Sequence, residues 1–133
     1  TFNEDEFVKV YDGLNDTQDA LYLKANEWMV SIFKDAKSVV QHSDKTEGII
    51  IGKYLMYDMP GTTGTYISSP GVEVYAKIDI RVKDGKARLA IQPFDYTYIE
   101  GLPLAYTKEN AIKDMNLLAE SFLKYIQKTA VDF

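Results

Sequence analysis

Apolar and polar residues alternate almost without interruption on both sides of Asp84-Gly85. A period of two is typical of a β-strand with one buried face. An Asp-Gly pair supplies the positive φ angles of a tight two-residue turn, so segments 72–83 and 86–94 are predicted to form an antiparallel hairpin. The turn sets the register, which pairs Lys83 with Lys86, Val82 with Ala87, Ile80 with Leu89, Ile78 with Ile91 and Tyr75 with Phe94.

The two faces of this hairpin differ in polarity. One is apolar and is predicted to be buried; it carries Val72, Val74, Ala76, Ile78, Ile80, Val82, Ala87, Leu89 and Ile91. The other is predicted to face water; it carries Glu73, Tyr75, Lys77, Asp79, Arg81, Lys83, Lys86, Arg88, Ala90, Gln92 and Phe94. A slip by one residue would exchange the faces and bury every charge, so the pattern specifies the register strongly.

Two segments have apolar residues at three- and four-residue steps, which is typical of helices with one buried stripe. The first is predicted to begin after the N-cap Thr17 and to end near Lys34. Its apolar stripe is Leu21, Ala25, Trp28, Met29 and Ile32, with Lys24, Glu27, Ser31 and Asp35 on the solvent side. The second is predicted to begin after Thr107 and to end near Lys128, with the stripe Ala111, Met115, Leu118, Phe122 and Ile126.

Three further segments have strand patterns: 7–11, 38–43 and 48–57, the last two forming a second hairpin. The predicted order is therefore β-α-β-β-β-β-α. We expect a single α+β domain over residues 1–133, in which both helices cover one face of an antiparallel sheet.

Two features of the second hairpin and its exit stay open. Gly52 predicts a bulge or a close backbone approach, and either Ile50 or Ile51 could point inward. Segment 58–71 is rich in glycine, proline, serine and threonine, and is predicted to be a loop. A variable surface loop is the favoured interpretation of it, and a mobile flap is the alternative.

Composition narrows the function classes. The 133 residues are 46% hydrophobic and 26% charged, as in an ordinary globular domain. The absence of cysteine excludes disulfides, thiol catalysis and thiolate metal sites. A net charge of −5 argues against nucleic acid and anionic membranes as partners, and no apolar run predicts a transmembrane helix. The chain starts at Thr1 and not at Met, which we interpret as a trimmed or processed start.

Several short motifs together resemble the DUF4468 family, Bacteroidetes domains of unknown function with a TBP-like fold. The similarity covers about residues 7–98 and lies in Thr17, Leu21-Tyr22, Trp28, Val39-Val40-Gln41, Asp44-Lys45, Gly48-Ile49-Ile50-Ile51-Gly52-Lys53 and Val82-Lys83-Asp84-Gly85-Lys86. The resemblance implies a β-α-β4-α order, a curved antiparallel sheet with two helices on its convex side, and a protein often exported to the cell envelope. It implies no catalytic residues and no cofactor.

The polar face of the central hairpin is the candidate binding surface, although a solvated face whose lysines discourage edge-to-edge aggregation is the favoured interpretation of its charges. Its basic residues Lys77, Arg81 and Arg88 outnumber the carboxylates there, and Arg81 lies opposite Arg88. Like charges across two strands repel, so we expect either an anion or a facing carboxylate between them. Beside them, the aromatic residues Tyr75, Phe94, Tyr96 and Tyr98 form a candidate contact strip. Partial burial of these rings against segment 58–71 is the alternative.

Catalytic and metal sites are not predicted. His42 is the only histidine, and without cysteine it could form a three-ligand zinc site only with the help of Asp or Glu side chains. Glu73 and Asp79 lie about 20 Å apart along one strand, too far for paired-carboxylate hydrolysis. Segment 61–65 lacks the lysine of a phosphate-binding loop.

These observations favour a non-enzymatic interaction module of the cell envelope, a lipoprotein or secreted protein. Its open sheet face and segment 58–71 would bind a protein, a glycan or a small ligand. The alternative is an enzyme or an anion-binding protein with its site in the same place. A third interpretation, a homodimer formed through the sheet face, predicts a doubled mass in light scattering.

Overall fold

The structure is a computed structural model, and it describes residues 6–59, 62–63, 68–69, 72–94 and 108–128. Its elements are β1 (Phe7–Tyr11), α1 (Gln18–Ile32), β2 (Val39–Asp44), β3 (Ile49–Met59), β4 (Thr62–Thr63), β5 (Ser68–Ser69), β6 (Val72–Lys83), β7 (Lys86–Phe94) and α2 (Lys108–Ile126). Five strands form one antiparallel sheet in the order β1-β7-β6-β3-β2, and β4 pairs with β5 in a separate ladder. The α+β class and the order of the main elements are confirmed.

Segment 58–71 differs from its prediction. It is not purely a loop, because β3 continues to Met59 and the short β4–β5 ladder lies within the segment. The threonines of β4 favour a strand conformation, which allows such a short ladder. Its remaining residues, 60–61, 64–67 and 70–71, lie outside the described part of the chain.

The register of the central hairpin is confirmed pair by pair, from Lys83 opposite Lys86 to Tyr75 opposite Phe94. Gly85 has a φ of +73°, as the tight turn requires. The apolar face packs against both helices in one core cluster. The cluster combines Val74, Ala76, Ile78, Ile80, Val82, Ala87, Leu89 and Ile91 with Leu21, Ala25, Trp28, Met29, Ala111, Met115, Leu118, Phe122 and Ile126.

Helix α1 begins and ends close to its predicted limits. Thr17 has an extended backbone, and its Oγ1 accepts a hydrogen bond from Ala20 N at 3.2 Å, which confirms it as the N-cap. Lys24, predicted to face solvent, is instead half-buried: its Nζ donates to Asp16 Oδ2 at 2.5 Å. The predicted N-cap of α2, Thr107, lies outside the described residues.

The structure settles the orientation of the isoleucines around Gly52. Ile50 is 1% exposed and faces the helices, whereas Ile51 lies on the other face of the sheet, opposite Asp79. A Cβ on Gly52 would lie 2.7 Å from the Phe33 ring, so α1 approaches the backbone closely here. Gly52 itself is not bulged; the register shifts in β2 between Val40 and His42, and further along β3 between Leu55 and Tyr57.

The turn of the central hairpin is anchored to the segment that leads into α1. Asp84 Oδ1 accepts a hydrogen bond from Gln18 N, the first amide of α1, at 2.7 Å. Gly85 N donates to Asp16 O at 2.9 Å, and Gly85 O accepts from Leu14 N at 3.0 Å. Asp84 is therefore both a turn residue and an acceptor at a helix N-terminus, where a carboxylate is favoured.

Candidate binding surface

The main sheet has one face against the core and an opposite face, called here the open face. Among the described elements, the helices pack only on the core face. Cross-strand pairing places one row of open-face residues across all five strands, in the middle of the sheet. From β1 to β2 the row is Val8, Ala90, Asp79, Ile51 and His42.

A second row, nearer the Asp84-Gly85 turn, holds the two arginines. It runs Val10, Arg88, Arg81, Ile49 and Asp44. Val10 is 63% exposed and Val8, in the first row, is 39% exposed. Exposed β-branched side chains thus stand beside arginines on this part of the open face.

Each arginine has its own carboxylate partner. Arg81 Nε donates to Asp79 Oδ1 at 3.1 Å, and Arg88 donates to Glu6 Oε1 at 3.2 Å. The hydrogen bond that Arg81 donates to Asp79, together with the negative charge of that carboxylate, raises the pKa of Arg81. Of the two expectations for the Arg81–Arg88 pair, an anion or a carboxylate, the structure supplies carboxylates.

The open face is less uniformly exposed to solvent than predicted. Asp79 is 8% exposed and Ala90 is 2% exposed, although both lie on the face predicted to meet water. Asp79 and Ala90 are cross-strand partners in the middle of the sheet. Their side chains are short, so the longer side chains of the adjacent rows cover them. Because Asp79 is buried, its negative charge has little contact with water and is compensated by the ion pair with Arg81.

A second polar group lies at the far end of β6. The Glu73 carboxylate accepts hydrogen bonds from Lys37 Nζ at 2.9 Å and from Tyr75 OH at 3.0 Å. These bonds lower the pKa of Glu73, and the same contact raises the pKa of Lys37. Lys53 Nζ lies 4.3 Å from the centre of the Tyr75 ring, a cation–π distance.

The predicted site residues fall into two groups. Arg81 and Arg88 are direct cross-strand partners, as are Tyr75 and Phe94, and Lys77 lies exposed between them on β6. Tyr96 and Tyr98 lie outside the described residues, and of Phe94 only the backbone position is described.

Sequence reasoning missed three participants, which are Glu6, Lys37 and Lys53. The alternation in β3 could have placed Lys53 beside Lys77. No local pattern points to Glu6 or Lys37, because each reaches its partner across a large sequence separation.

Two cavities lie away from the open face. One of about 410 Å³ is lined by the segment before α1, Lys24 and the end of α2. The other, of about 220 Å³, is lined by Tyr54, Met56, Asp114, Leu117 and Leu118. Burial and the nearby Asp114 charge raise the pKa of Tyr54, whose ring stacks on Phe33 at 5.6 Å.

Within the described part of the chain, no three metal-binding side chains come together. His42 is exposed on the edge strand β2. None of the described helices has the length and apolar character needed to cross a membrane.

Comparison with known proteins agrees with this architecture. The sequence model of the family described as "Domain of unknown function (DUF4468) with TBP-like fold" matches residues 7–97. A crystal structure of a DUF4468 family protein from Bacteroides ovatus is similar, with a TM-score of 0.57 at 11% identity, over 96% of this chain and 88% of that one. A TBP-like protein from Parabacteroides distasonis gives a TM-score of 0.60 at 16% identity, over 94% of each chain. No curated protein sequence matches the chain significantly.

Proposed function

The chain belongs to the DUF4468 family of TBP-like domains, and on that premise we propose that it is a non-enzymatic module whose open face binds another protein. One observation carries the proposal: the exposed valines of β1 lie beside arginines that already hold a carboxylate, with Val10 directly opposite Arg88. Protein interfaces combine apolar contact area with arginine. A guanidinium held in place by an ion pair loses less freedom when a partner arrives.

A protein partner fits this surface better than a free anion does. The charges of Arg81 and Arg88 are balanced by Asp79 and Glu6, so an anion would have to displace a carboxylate. A protein can instead contact the apolar residues and both members of each ion pair. The net charge of −5 also works against nucleic acid.

The distribution of shifted pKa values supports a binding role over catalysis. Catalytic sites gather such groups in one cleft. Here Tyr11 and Tyr54 have raised pKa values because they are partly buried on the core face. The shifts of Glu73 and Arg81 arise from separate ion pairs on the open face.

We further propose that the module works in the bacterial cell envelope, as a lipoprotein or secreted protein. The support is the resemblance to the DUF4468 family. Fractionation of the native bacterium, followed by immunoblotting, tests this location. Recovery of the protein in the cytosolic fraction alone would overturn it.

Photo-crosslinking tests the binding surface. A photoreactive amino acid is placed either at Val10 on the open face or at Val30 on α1, which are 63% and 66% exposed. We expect protein adducts from position 10 and none from position 30 when the cross-linker is activated in the native bacterium. Adducts at position 30 alone, or equally at both, would contradict the proposal. An adduct of twice the chain mass, with a doubled mass in light scattering, would identify the partner as a second copy.

A further inference from the structure

The sequence contains the pair Asp-Gly twice, at Asp12-Gly13 and at Asp84-Gly85. Both glycines are left-handed, with φ of +67° and +73°, so the glycine φ angle does not distinguish the pairs. Their hydrogen bonding does. We propose that Asp12 is a site of spontaneous isomerisation to isoaspartate, and that the fold protects Asp84 from the same reaction.

The chemistry needs only the pair itself and water. The Gly13 amide nitrogen, after losing its proton, attacks the side-chain Cγ of Asp12. A new N–Cγ bond forms, a Cγ–O bond breaks, and the carboxyl oxygen leaves as water. Water then opens the cyclic imide at either carbonyl: opening at Cγ restores aspartate, and opening at the main-chain carbonyl gives isoaspartate. The product has the mass of the original chain, with its backbone rerouted through the side chain.

Asp12-Gly13 is free to react. Both residues are exposed between β1 and α1, and a Cβ on Gly13 would meet nothing within 4 Å. Among the described residues, no hydrogen bond holds Gly13 N or the Asp12 carboxylate. Glycine lacks the side chain that hinders attack in other Asp-X pairs.

In Asp84-Gly85, by contrast, hydrogen bonds hold both the amide nitrogen and the side-chain carboxylate. Gly85 N, the nucleophile, donates to Asp16 O at 2.9 Å, and Asp84 Oδ1 accepts from Gln18 N at 2.7 Å. Gly85 O also accepts from Leu14 N, so the turn is fixed from both sides. Reaction there requires this contact to open first, which lowers the rate by the fraction of time it is open.

Peptide mapping of the full chain tests the proposal. The folded protein is incubated in heavy-oxygen water at neutral pH, and label and isoaspartate are measured at both sites. We expect Asp12 to react about tenfold or more faster than Asp84, since two hydrogen bonds must open at Asp84-Gly85 and each corresponds to a factor of about five. In the urea-unfolded chain the two sites should react at similar rates. Equal rates in the folded chain, or a faster reaction at Asp84, would overturn the proposal.

A matched pair of variants tests the cause of protection. Gln18→Pro removes the amide that donates to Asp84, at the first helical position, where proline is well tolerated. The extended backbone of Thr17, with φ −71° and ψ 165°, is compatible with a following proline. Gln18→Ala keeps the amide. We expect faster labelling at Asp84 in Gln18→Pro alone, and unchanged labelling at Asp12 in both. If labelling at Asp84 is no faster in Gln18→Pro than in Gln18→Ala, the hydrogen bond from Gln18 N does not protect this site.

Discussion

The indole nitrogen of Trp28 donates a hydrogen bond to Ser121 Oγ at 3.0 Å and so joins α1 to α2 inside the core. Trp28 is fully buried, and its ring meets Phe122 edge-on with centroids 5.1 Å apart. A buried indole N–H needs an acceptor, because it has lost its bond to water. Ser121 is therefore a polar residue that the core requires.

Ser121→Ala leaves this N–H without an acceptor. We expect the free energy of unfolding to fall by about 1–2 kcal/mol, since a stranded buried donor costs about 1–3 kcal/mol and alanine returns part of that through its helix propensity. Urea denaturation measures the loss. Ser31→Ala is the control, because Ser31 Oγ donates only to Trp28 O within the same helix. Equal losses for the two variants would contradict the role assigned to Ser121.

Gly48 and Gly13 have similar left-handed backbones, with φ of +71° and +67°, but different surroundings. A Cβ on Gly48 would overlap the Val82 carbonyl oxygen, and Val82 N donates to Gly48 O at 2.8 Å, which holds the two together. We expect Gly13→Ala to lower the free energy of unfolding by about 1–2 kcal/mol through backbone strain. Gly48→Ala should cost about 1–3 kcal/mol more through overpacking. If urea denaturation gives equal losses for Gly13→Ala and Gly48→Ala, the backbone at Gly48 can move away from Val82 at little cost.

The pKa of Glu73 lies below its usual range because of its hydrogen bonds from Lys37 and Tyr75. A carboxyl with a lowered folded-state pKa stabilises the fold above its unfolded pKa, and this contribution is lost as the pH falls through the folded value. The contribution of Glu73 therefore disappears on the acid side of the ordinary glutamate range. Lys37→Gln should raise the pKa of Glu73, as measured by NMR titration of its carboxyl carbon. Lys34→Gln, at a nearby exposed lysine, should leave that pKa unchanged.

Local patterns were sufficient for the features that depend on neighbouring residues. Alternation around Asp84-Gly85 predicted every cross-strand pair of the central hairpin, because a slip would bury charge. The Thr17 cap followed from side-chain chemistry within one helical turn. The stripe of α2 followed from helical periodicity.

Features that depend on distant parts of the chain could not be predicted in this way. Periodicity placed Lys24 in solvent, yet its ammonium also meets the carbonyl oxygen of Ile126 at the end of α2, at 3.5 Å. The inward orientation of Ile50 depends on the packing of α1 over Gly52. On the candidate surface, alternation located Arg88 but not its partner Glu6, which belongs to the segment before β1. Side-chain pairing across a sheet is a tertiary property.

Arg81 and Arg88 form a natural comparison, because they are direct cross-strand partners with carboxylates of different exposure. The Asp79 side chain is 12% exposed, whereas that of Glu6 is 43% exposed. Replacing either arginine by methionine removes the same Arg–Arg repulsion, so that effect cancels between the variants. What differs is the carboxylate left behind. Arg81→Met strands Asp79 where water has little access, and Arg88→Met leaves Glu6 in water.

We expect Arg81→Met to lower the free energy of unfolding by about 1–2 kcal/mol, below the full cost of a stranded buried charge because Arg81 is itself half-exposed. Arg88→Met should cost less than about 1 kcal/mol, and its effect should fade in high salt, since exposed pairs are weak and screened. Urea denaturation at two salt concentrations measures both. Similar losses for the two variants would mean that Asp79 is as well solvated as Glu6. The open face would then lack the buried ion pair that keeps Arg81 in position for a partner.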